Sequence, residues 1–505
     1  MATAFDWVAK RAELTPDATA LVDSATGREF TYEAFDRRAG RLARFFREEW
    51  GIHPGDRIAF LGHNSTDVFD LLFAAAKAGA ILVPLNWRLA VPELQGIVAD
   101  GSPRALVHDD AFAAEAEALL DVMAGSARMQ TGTVSPAGGE AMEAVAGDGP
   151  GLRMEPRPLE DPWYILYTAG TTGRPKGVIQ TFGMALFNYL NIGVPIDLSS
   201  RDTTLNVLPT FHSGGLNLYA IPTFIAGGTA IVQRAFEPSE TLGLLAERTT
   251  AFFGVPAVYL FLSQHPEFAG TDLSGVRSWA CGGAPMPVAL LEAYAERGIR
   301  IRQGFGMTET GPTVFLVDEV NALTKAGSVG KPQMHVDVRI VDTGGRDVPV
   351  GEMGELWIKG PAVTPGYWQM PETTAESITD GWLHSGDVAR CDADGYYYIV
   401  DRWKDMYISG GENVYPAEIE NVLYAHPAVA EAAVVGVPDP TWQEVGRAVV
   451  VLAPGAEATA DDLIAFCRER LARYKVPRSV VFVDALPRNP AGKVLKNQLR
   501  DLHGG

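Results

Sequence analysis

The sequence contains few cysteines and no long apolar run, and each absence excludes a class of protein. Its 505 residues include three cysteines, Cys281, Cys391 and Cys467, which are widely separated and form no Cys-x-x-Cys pair. A disulfide framework or a zinc site is therefore not expected, and a reducing compartment is favoured. No run of about 18 apolar residues occurs, so no membrane span is predicted. The first residues have no apolar core of a secretory signal, and the protein is predicted to be cytoplasmic.

Positive charge is also scarce in this chain. There are 42 Lys and Arg against 62 Asp and Glu, which gives a formal net charge of −20. A surface of this sign repels nucleic acid and anionic membranes, so neither is expected as a partner. Any phosphate-bearing ligand would have to be met by local cations and by backbone N–H groups.

The apolar pattern predicts an α/β protein. At about 150 residues per domain, the length suggests roughly three folding units. Strand-like runs alternate with helical ones, which favours β-sheets covered by helices. Residues 124–161, rich in Gly, Ala, Ser and Pro, are interpreted as a loop or linker. A β-rich subdomain is predicted over 327–398, followed by a small α+β unit. Predicted elements include a helix from residue 32 with Thr31 as its N-cap, a helix over 66–78, and strands at 57–61, 81–85, 105–108, 163–167, 229–232, 251–255 and 278–280.

One segment, YTAGTTGRPKG, runs from Tyr167 to Gly177 and combines three glycines, three threonines and two cations. It differs from a Walker loop because a proline precedes its lysine. Glycines let successive backbone N–H groups point at an anion, and the hydroxyls and cations add donors and positive charge. The segment is therefore predicted to bind phosphate, and the alternative is a flexible surface turn.

Five motifs stand in order along nearly the whole chain: TAGTTGRPKG (168–177), QGFGMTE (303–309), SGD (385–387), DRWKD (401–405) and PRNPAGK (487–493). Together they resemble the motifs of the adenylate-forming superfamily of acyl-CoA synthetases, peptide-synthetase adenylation domains and beetle luciferases. The resemblance implies an ATP-dependent acyl-CoA synthetase, in which a carboxylic acid attacks the α-phosphate of ATP, pyrophosphate leaves, and CoA then takes the acyl group. It also implies a large N-terminal domain (1–401), a hinge (402–404) and a small mobile C-terminal domain (405–505).

The resemblance also implies a role for individual residues of the nucleotide site. Thr308 would contact the α-phosphate, and Glu309 with Thr172 would hold Mg²⁺ through oxygen. Asp387 would bind the ribose hydroxyls, and Lys493 would bridge the acid and the α-phosphate, offsetting the repulsion between two anions. For these side chains the alternative is an ordinary solvated surface or turn position. The implied nucleotide-binding residues are Thr168, Gly170, Thr171, Thr172, Gly173, Lys176, Gly283, Ala284, Pro285, Gly304, Phe305, Gly306, Met307, Asp387, Ile399 and Arg402.

A second half-reaction with CoA is implied by residues near the C-terminus. Lys404 lies at the family's hinge position, about which the small domain turns after adenylation. That turn would remove Lys493 and bring a glycine-rich backbone to the site as a lining for pantetheine. The basic run 468–478 would either meet CoA phosphates or simply end an exposed helix. The implied CoA-binding residues are Ser409, Gly410, Gly411, Glu412 and Lys475.

The resemblance also implies an acyl pocket lined by small or apolar residues. His212 occupies the family's aromatic-or-His position there, and a buried structural histidine is an equal alternative. A hydrophobic acid is expected, with fatty and aromatic acids left open. Ala169 stands where the family usually has Ser, and the loss of one hydroxyl predicts weaker ATP binding. The implied pocket residues are His212, Gly214, Gly215, Val255, Gly283 and Gly304.

Two other functions remain open at the level of sequence. An enzyme that loads the acyl group onto a carrier protein would use the same first half-reaction. A binding module that keeps the ATP site without catalysis is the other alternative, and the presence of both Glu309 and Lys493 argues against it. Expected ligands are ATP, Mg²⁺, CoA and a small carboxylic acid, and a homo-oligomer is left open.

Overall fold

The computed structural model describes residues 3–123, 130–134, 149–168, 175–402, 405–409, 412–488 and 494–504, and only the backbone at 130–134, 402, 412 and 413. Within these residues the protein is α/β, with two large sheets followed by two smaller ones. This confirms the fold class expected from the alternation of strand-like and helical runs.

The first large sheet is buried on both faces. Alternate residues of its central strand enter different cores, with Ile58 and Phe60 in one and Ala59 and Leu61 in the other. A strand covered on both faces needs a continuous apolar run, and residues 58–61 supply it. The inner strands are parallel, and Lys176–Thr181 pairs antiparallel with Pro162–Thr168 at one edge. In spatial order the strands are Lys176–Thr181, Pro162–Thr168, Ile81–Leu85, Arg57–Leu61, Ala105–Asp109 and Gln130–Val134.

The edge strand of this sheet shows that the loop predicted for 124–161 is wrong in part. Gln130–Val134 pairs in parallel with Ala105–Asp109 along its whole length. Arg157–Pro158 likewise pairs with Thr3–Ala4. The segment QTGTV has no apolar run and only weak alternation, so its strand depends on the neighbouring strand rather than on a local signal.

The second large sheet provides the edge on which the candidate site is built. Its central strands are all parallel, so their carboxyl ends lie along one edge. Loops that follow those strands are therefore neighbours in space, as in other open α/β sheets. Short antiparallel strands close the sheet at both sides. In spatial order the strands are Lys331–Pro332, Thr313–Leu316, Ile301–Gly306, Ser278–Cys281, Ala251–Gly254, Thr203–Asn206, Thr229–Val232, Thr19–Asp23 and Glu29–Thr31.

Two five-stranded sheets make up the rest of the described strands. The first is antiparallel and confirms the predicted β-rich region; it contains Asp337–Val341, Gly354–Lys359, Trp382–Cys391, Ile378–Thr379 and Tyr397–Arg402. The second contains Glu412–Val414, Tyr407–Ser409, Gln443–Leu452, Val429–Asp439 and Ser479–Phe482. Described strands from residue 407 onward pair only with one another. The change of partners falls between 402 and 407, where the hinge is predicted, and rotation about it stays a prediction.

Two of the described helices illustrate the capping residues that the sequence offers. Thr31 accepts a hydrogen bond from the Ala34 N–H, and Gly79, at a φ of 77°, ends the helix over 66–78. None of the described helices is long and apolar enough to cross a membrane. The α-helices are Trp7–Leu14, Tyr32–Glu48, Thr66–Ala78, Val91–Gly101, Ala113–Met123, Phe182–Asn188, Ala220–Ala226, Pro238–Glu247, Pro256–Gln264, Val288–Ala295, Pro371–Ser377, Pro416–Tyr424, Ala460–Arg468 and Lys496–His503. Short 3-10 turns are Asp110–Phe112, Val194–Ile196, Phe268–Gly270, Thr308–Thr310 and Arg473–Lys475, and π turns are Tyr189–Gly193 and Gly214–Leu218.

Candidate active site

Four loops of the candidate site follow four adjacent parallel strands of the second large sheet. In spatial order these strands are Ile301–Gly306, Ser278–Cys281, Ala251–Gly254 and Thr203–Asn206. The loops after them carry, in the same order, the Thr308–Glu309 turn, the Gly282–Pro285 loop, Val255 and His212. Residues that are far apart in the sequence are therefore brought to one edge of one sheet.

The predicted phosphate segment joins two antiparallel strands of the first large sheet. Thr168 and Lys176 are paired across the two strands, and the Thr168 hydroxyl lies 3.4 Å from the Lys176 carbonyl oxygen to which it donates. Gly177 is tightly enclosed, since a Cβ there would lie 2.9 Å from Ile165 Cγ2. The remaining predicted phosphate-binding residues lie outside the described residues, and their role stays a prediction: Gly170, Thr171, Thr172 and Gly173, with Ala169 and Arg174 beside them.

Glu309 is buried in the 3-10 turn Thr308–Thr310. Its Oε1 accepts a hydrogen bond of 3.1 Å from the hydroxyl of Tyr367. The ammonium of Lys176 lies 4.9 Å from the centroid of the same tyrosine ring. Burial, together with the Glu309 carboxylate, raises the pKa of Tyr367, so its hydroxyl stays protonated and donates. Tyr367 therefore links an anionic and a cationic residue of the site, and no sequence motif had singled it out.

The chemistry of Glu309 fits a Mg²⁺ ion that is shared with nucleotide phosphates. Its carboxylate offers the oxygen ligand that Mg²⁺ prefers. Among the described residues there is no group of three or more His, Cys, Asp and Glu side chains that could hold a metal without other ligands. Mg²⁺ is commonly held by one or two carboxylates plus substrate phosphates, and one enclosed carboxylate meets that need. Thr172, the second predicted metal residue, falls in the part of the chain that is not described.

Asp387 and Arg402 are direct partners on neighbouring antiparallel strands. Asp387 is buried, and its backbone N–H donates to the Ser385 hydroxyl at 3.0 Å. Ile399 lies on the same strand as Arg402 and pairs with Ala389. The structure thus brings three of the predicted ribose- and nucleotide-binding residues into one two-stranded ladder.

Glycines allow the Gly282–Pro285 loop to lie close against the neighbouring strands. A Cβ on Gly282 would lie 3.2 Å from the Gly304 carbonyl oxygen, and one on Gly283 would lie 3.4 Å from Val255 Cγ1. Gly283, Gly304 and Val255, predicted from separate motifs, are therefore neighbours. At Gly306 a Cβ would stand 1.6 Å from the Pro312 carbonyl oxygen, so no other residue fits there. The predicted residues Ala284 and Pro285 complete this loop, and Phe305 and Met307 pack on the core of the β-rich sheet.

Gln303 is a further candidate that the motif contained but to which no role was given. It is buried in the strand Ile301–Gly306, where it pairs with Cys281, and its Oε1 has no hydrogen-bond partner in the described part of the chain. Buried acceptors are nearly always paired, so an unpaired one beside the Gly282–Pro285 loop indicates a position for a donor from a ligand. An amino group on a flat base is such a donor. The sequence shows a glutamine there but not that its oxygen is enclosed.

His212 lies just before the π turn Gly214–Leu218. Burial lowers its pKa to about 4, and the charge of Arg88 adds to the effect. The residue is partly exposed, but its Nε2 is enclosed and has no hydrogen-bond partner among the described residues. It is therefore a neutral imidazole at pH 7 with one nitrogen available to a ligand. Gly214 and Gly215 follow it, and a Cβ on Gly215 would stand 2.2 Å from the Pro209 carbonyl oxygen.

The predicted CoA-binding residues are only partly described. Ser409 is buried and pairs with Gln443 on the next strand. The Lys475 ammonium lies 2.5 Å from the Glu418 carboxylate. Burial alone would lower the pKa of Lys475, but its hydrogen bond to Glu418 and the charge of that carboxylate raise it, so the side chain is a paired cation. Lys404, Gly410, Gly411 and Lys493, with the side chain of Glu412, lie outside the described residues.

The chain belongs to the AMP-binding enzyme family. Residues 8–368 match the family described as AMP-binding enzyme, and residues 418–493 match the AMP-binding enzyme C-terminal domain. This confirms the resemblance to adenylate-forming enzymes, in their acyl-CoA synthetase branch. The chain is accordingly an AMP-forming ligase that makes carbon–sulfur bonds.

Individual relatives align with nearly the whole chain. It is 45% identical over 500 residues to a feruloyl-CoA synthase of an Amycolatopsis species, with 99% of this chain and 98% of the relative aligned. It is 39% identical over 500 residues to the long-chain-fatty-acid–CoA ligase FadD13 of Mycobacterium tuberculosis, with 97% of each chain aligned. The structure of ATP-bound MatB from Rhodopseudomonas palustris superimposes with a TM-score of 0.90 at 31% identity, covering 99% of both chains.

Proposed function

We propose that this protein is an ATP-dependent acyl-CoA synthetase acting on a hydrophobic carboxylic acid. One observation carries the proposal. The Thr308–Glu309 turn, the Gly282–Pro285 loop, Val255 and His212 follow four adjacent parallel strands, so the residues proposed for the nucleotide and those proposed for the acyl group share one edge of the sheet. That arrangement allows an acid and the α-phosphate of ATP to be held side by side, which is the main requirement of phosphoryl-type chemistry.

In the first step a carboxylate oxygen of the acid attacks the α-phosphorus of ATP, and pyrophosphate leaves with the electron pair of the broken P–O bond. Two anions must approach each other, so cations and hydrogen-bond donors provide the stabilisation. Lys176 supports the pyrophosphate side, Thr308 the α-phosphate, and Lys493 the developing bond between them. A Mg²⁺ ion held by Glu309 and the phosphates would neutralise further charge there.

In the second step the CoA thiolate attacks the acyl carbon of the adenylate, and AMP leaves. The thiol loses its proton to solvent or to the departing AMP, and the thioester bond replaces the mixed anhydride. Ser409 and the glycines after it are proposed to line the path of the pantetheine arm. Lys475 would contribute positive charge near the CoA phosphates, although Glu418 already partners it.

Aromatic acids are proposed as the first substrates to test, with fatty acids second. The pocket walls, Gly214, Gly215, Val255 and Gly283, are small or apolar and supply no cation. His212 is a neutral imidazole with an enclosed Nε2, which can hydrogen-bond a polar group of the acid or its carboxylate. The relative with 45% identity is named for feruloyl-CoA, and the one with 39% identity for long-chain fatty acids.

A panel of acids tests the function directly. Purified protein is incubated with ATP, Mg²⁺ and each acid, and acid-dependent pyrophosphate release is measured with and without CoA. We expect release with at least one hydroxycinnamic or fatty acid, and AMP and acyl-CoA formation only when CoA is present. The Lys493→Ala variant is the matched control. A parallel assay offers a carrier protein in place of CoA. Acyl transfer to the carrier protein but not to CoA would support the carrier-loading alternative instead. The absence of pyrophosphate release with every acid would contradict both functions.

A further inference from the structure

Two fully buried amides, Gln180 and Asn217, join segments of the site that the fold otherwise builds separately. Gln180 lies on the strand Lys176–Thr181, which follows the phosphate segment. Its Nε2 donates to the backbone carbonyl of Thr308 at 2.9 Å. Its Oε1 accepts from Asn217 Nδ2 at 3.0 Å. The Gln180 side chain therefore contacts both the Thr308–Thr310 turn and Asn217 in the Gly214–Leu218 turn.

Asn217 holds the π turn Gly214–Leu218, which follows His212. Its Oδ1 accepts from the buried Tyr164 hydroxyl at 2.8 Å, and its Nδ2 also donates to the Gly311 carbonyl at 3.2 Å. The Asn217 carbonyl accepts from Asn188 Nδ2 at 2.5 Å. Single π turns are rare in proteins, and those that occur are often found at functional sites.

The hydrogen bonds run in one direction through the buried chain. The hydroxyl of Tyr164 donates to Asn217, Asn217 donates to Gln180, and Gln180 donates to Thr308. Reversing Gln180 would set its oxygen against the Thr308 carbonyl oxygen. Reversing Asn217 would set its oxygen against Gln180 Oε1 and the Gly311 carbonyl oxygen, so these acceptors fix the orientation of each amide. A buried network with every member paired specifies one arrangement of the segments that it joins.

Burying polar side chains in this interior costs free energy that packing alone does not require. An apolar side chain of the same size would avoid the cost of burying an amide. Gln180 nevertheless occupies a buried position of its strand, in which Val178 and Thr181 are also buried. The amides are therefore explained by their hydrogen bonds, which hold the strand Lys176–Thr181, the Thr308–Thr310 turn and the Gly214–Leu218 turn together, and not by packing alone.

We propose that Gln180 and Asn217 are positioning residues that couple occupation of the acyl pocket to alignment of the Thr308–Thr310 turn with the nucleotide. The inference rests on the proposed function of the site. An acid that orders the Gly214–Leu218 turn fixes Asn217, and Asn217 fixes Thr308 through Gln180. Acid and nucleotide therefore strengthen each other's binding, and by linkage the effect is equal in both directions.

The test measures the dissociation constant of a non-cleavable ATP analogue by calorimetry, with and without a saturating acid from the panel. In the wild type we expect the acid to tighten analogue binding by about tenfold or more. In Gln180→Met, which keeps the size and loses the hydrogen bonds, we expect this factor to fall to within about twofold of one. Turnover at saturating substrates should fall as well, while the affinity for the analogue alone changes little.

Gln233→Met is the matched control. Gln233 is equally buried, and its side chain bonds Glu240 and Thr241 instead of the site. Both variants lose stability, but Gln233→Met should keep the wild-type coupling factor. If Gln180→Met does not fold, Tyr164→Phe removes one bond of the same network with no change of shape, and it should reduce the factor about threefold.

The outcomes separate the inference from the function on which it rests. A coupling factor that stays at the wild-type value in Gln180→Met or in Tyr164→Phe overturns the inference and leaves the enzyme assignment intact. A wild-type factor of one overturns it too, as does an equal loss of coupling in Gln233→Met. If the wild type adenylates no acid at all, the proposed function fails first and the inference falls with it.

Discussion

Tyr367 shows how a single side chain can position two charged residues of the site. Its hydroxyl donates to Glu309, and its ring lies under the Lys176 ammonium. The backbone of the same segment is tied to the site as well, because Thr364 N–H donates to the Glu309 carbonyl at 2.8 Å and Trp368 N–H to the Gly177 carbonyl at 2.7 Å. The segment 364–368 therefore holds the acidic turn against the strand after the phosphate segment.

Tyr367→Phe should slow adenylate formation by about tenfold, because the hydrogen bond that it removes is made to a charged carboxylate. The ring and its contact with Lys176 remain. The Mg²⁺ concentration needed for half-maximal pyrophosphate exchange should rise, since Glu309 loses its fixed orientation. Tyr294→Phe, which removes an equally buried hydroxyl bonded to the Tyr259 carbonyl, should leave that Mg²⁺ requirement unchanged. An identical Mg²⁺ dependence in both variants would contradict the role of Tyr367.

His212 makes the stability of the protein depend on pH in a defined direction. Its folded-state pKa is about 4, below the usual 6.5, because burial and Arg88 disfavour the charged form. The unfolded chain therefore binds a proton at His212 as the pH falls below 6.5, whereas the folded protein does not until about pH 4. Stability from this group is fully present above pH 6.5 and is lost as the pH falls.

His212→Gln should reduce the acid sensitivity of folding. Between pH 7 and pH 5 the wild type is expected to lose up to about 2 kcal/mol of unfolding free energy more than the variant does. Urea denaturation at the two pH values measures the difference. Parallel loss in both proteins would show that His212 is not held neutral by the fold.

At the scale of elements, close approaches decide where glycine is needed. Gly306 ends a central strand of the second large sheet and faces the Pro312 carbonyl oxygen at a distance that admits no Cβ. Gly243, in the middle of the helix Pro238–Glu247, has no atom within 4 Å of an added Cβ. The same substitution should therefore have opposite effects at the two positions.

Gly306→Ala should lower the unfolding free energy by about 3 kcal/mol or more and abolish adenylation, because backbone must move beside the Thr308–Thr310 turn. Gly243→Ala should raise it by about 0.5–1 kcal/mol, because alanine has the higher helix propensity and nothing obstructs it. Chemical denaturation of both variants, with adenylation measured alongside, compares them. Tolerance of alanine at Gly306 would contradict the packing of this edge.

For the whole molecule, the two half-reactions are predicted to depend on different faces of the C-terminal part. We propose a domain of residues 1–401, a hinge at 402–404 and a mobile domain of 405–505. The change of strand partners between 402 and 407 supports this division. Asp401, at the end of the last strand before the hinge, accepts a hydrogen bond from the Ala417 N–H at 3.1 Å. That contact would have to change if the small domain turns.

Lys493→Ala should cut adenylate formation by about a thousandfold, because it removes the cation between two approaching anions. It should leave thioester formation from supplied acyl-adenylate and CoA largely intact. Lys404→Pro should do the reverse, because proline restricts the backbone at the hinge. The two half-reactions are measured separately for each variant. Equal damage to both halves in either variant would argue against domain rotation.

The strongly patterned elements could be predicted from the sequence because their signal is local. The helix over 66–78 and the strands at 57–61, 81–85 and 229–232 have the bounds that their apolar runs and caps indicate. The strand Gln130–Val134 could not be predicted, because its residues carry no local strand pattern and it forms by pairing with Ala105–Asp109, another part of the chain. The motifs likewise located Glu309, Asp387 and His212 but not Tyr367, whose contacts arise from a separate part of the chain.

The sequence by itself determined the family, the α/β class and the residue types available for phosphate, ribose and acyl binding, because these are carried by short motifs and by local periodicity. Only the tertiary structure decided which residues meet. It aligned four loops along one sheet edge, enclosed His212 so that it stays neutral, and set Tyr367 between Glu309 and Lys176. It also made Gln180 a link to Thr308, which a glutamine in a strand does not reveal, since burial and hydrogen-bond partners are properties of the folded chain.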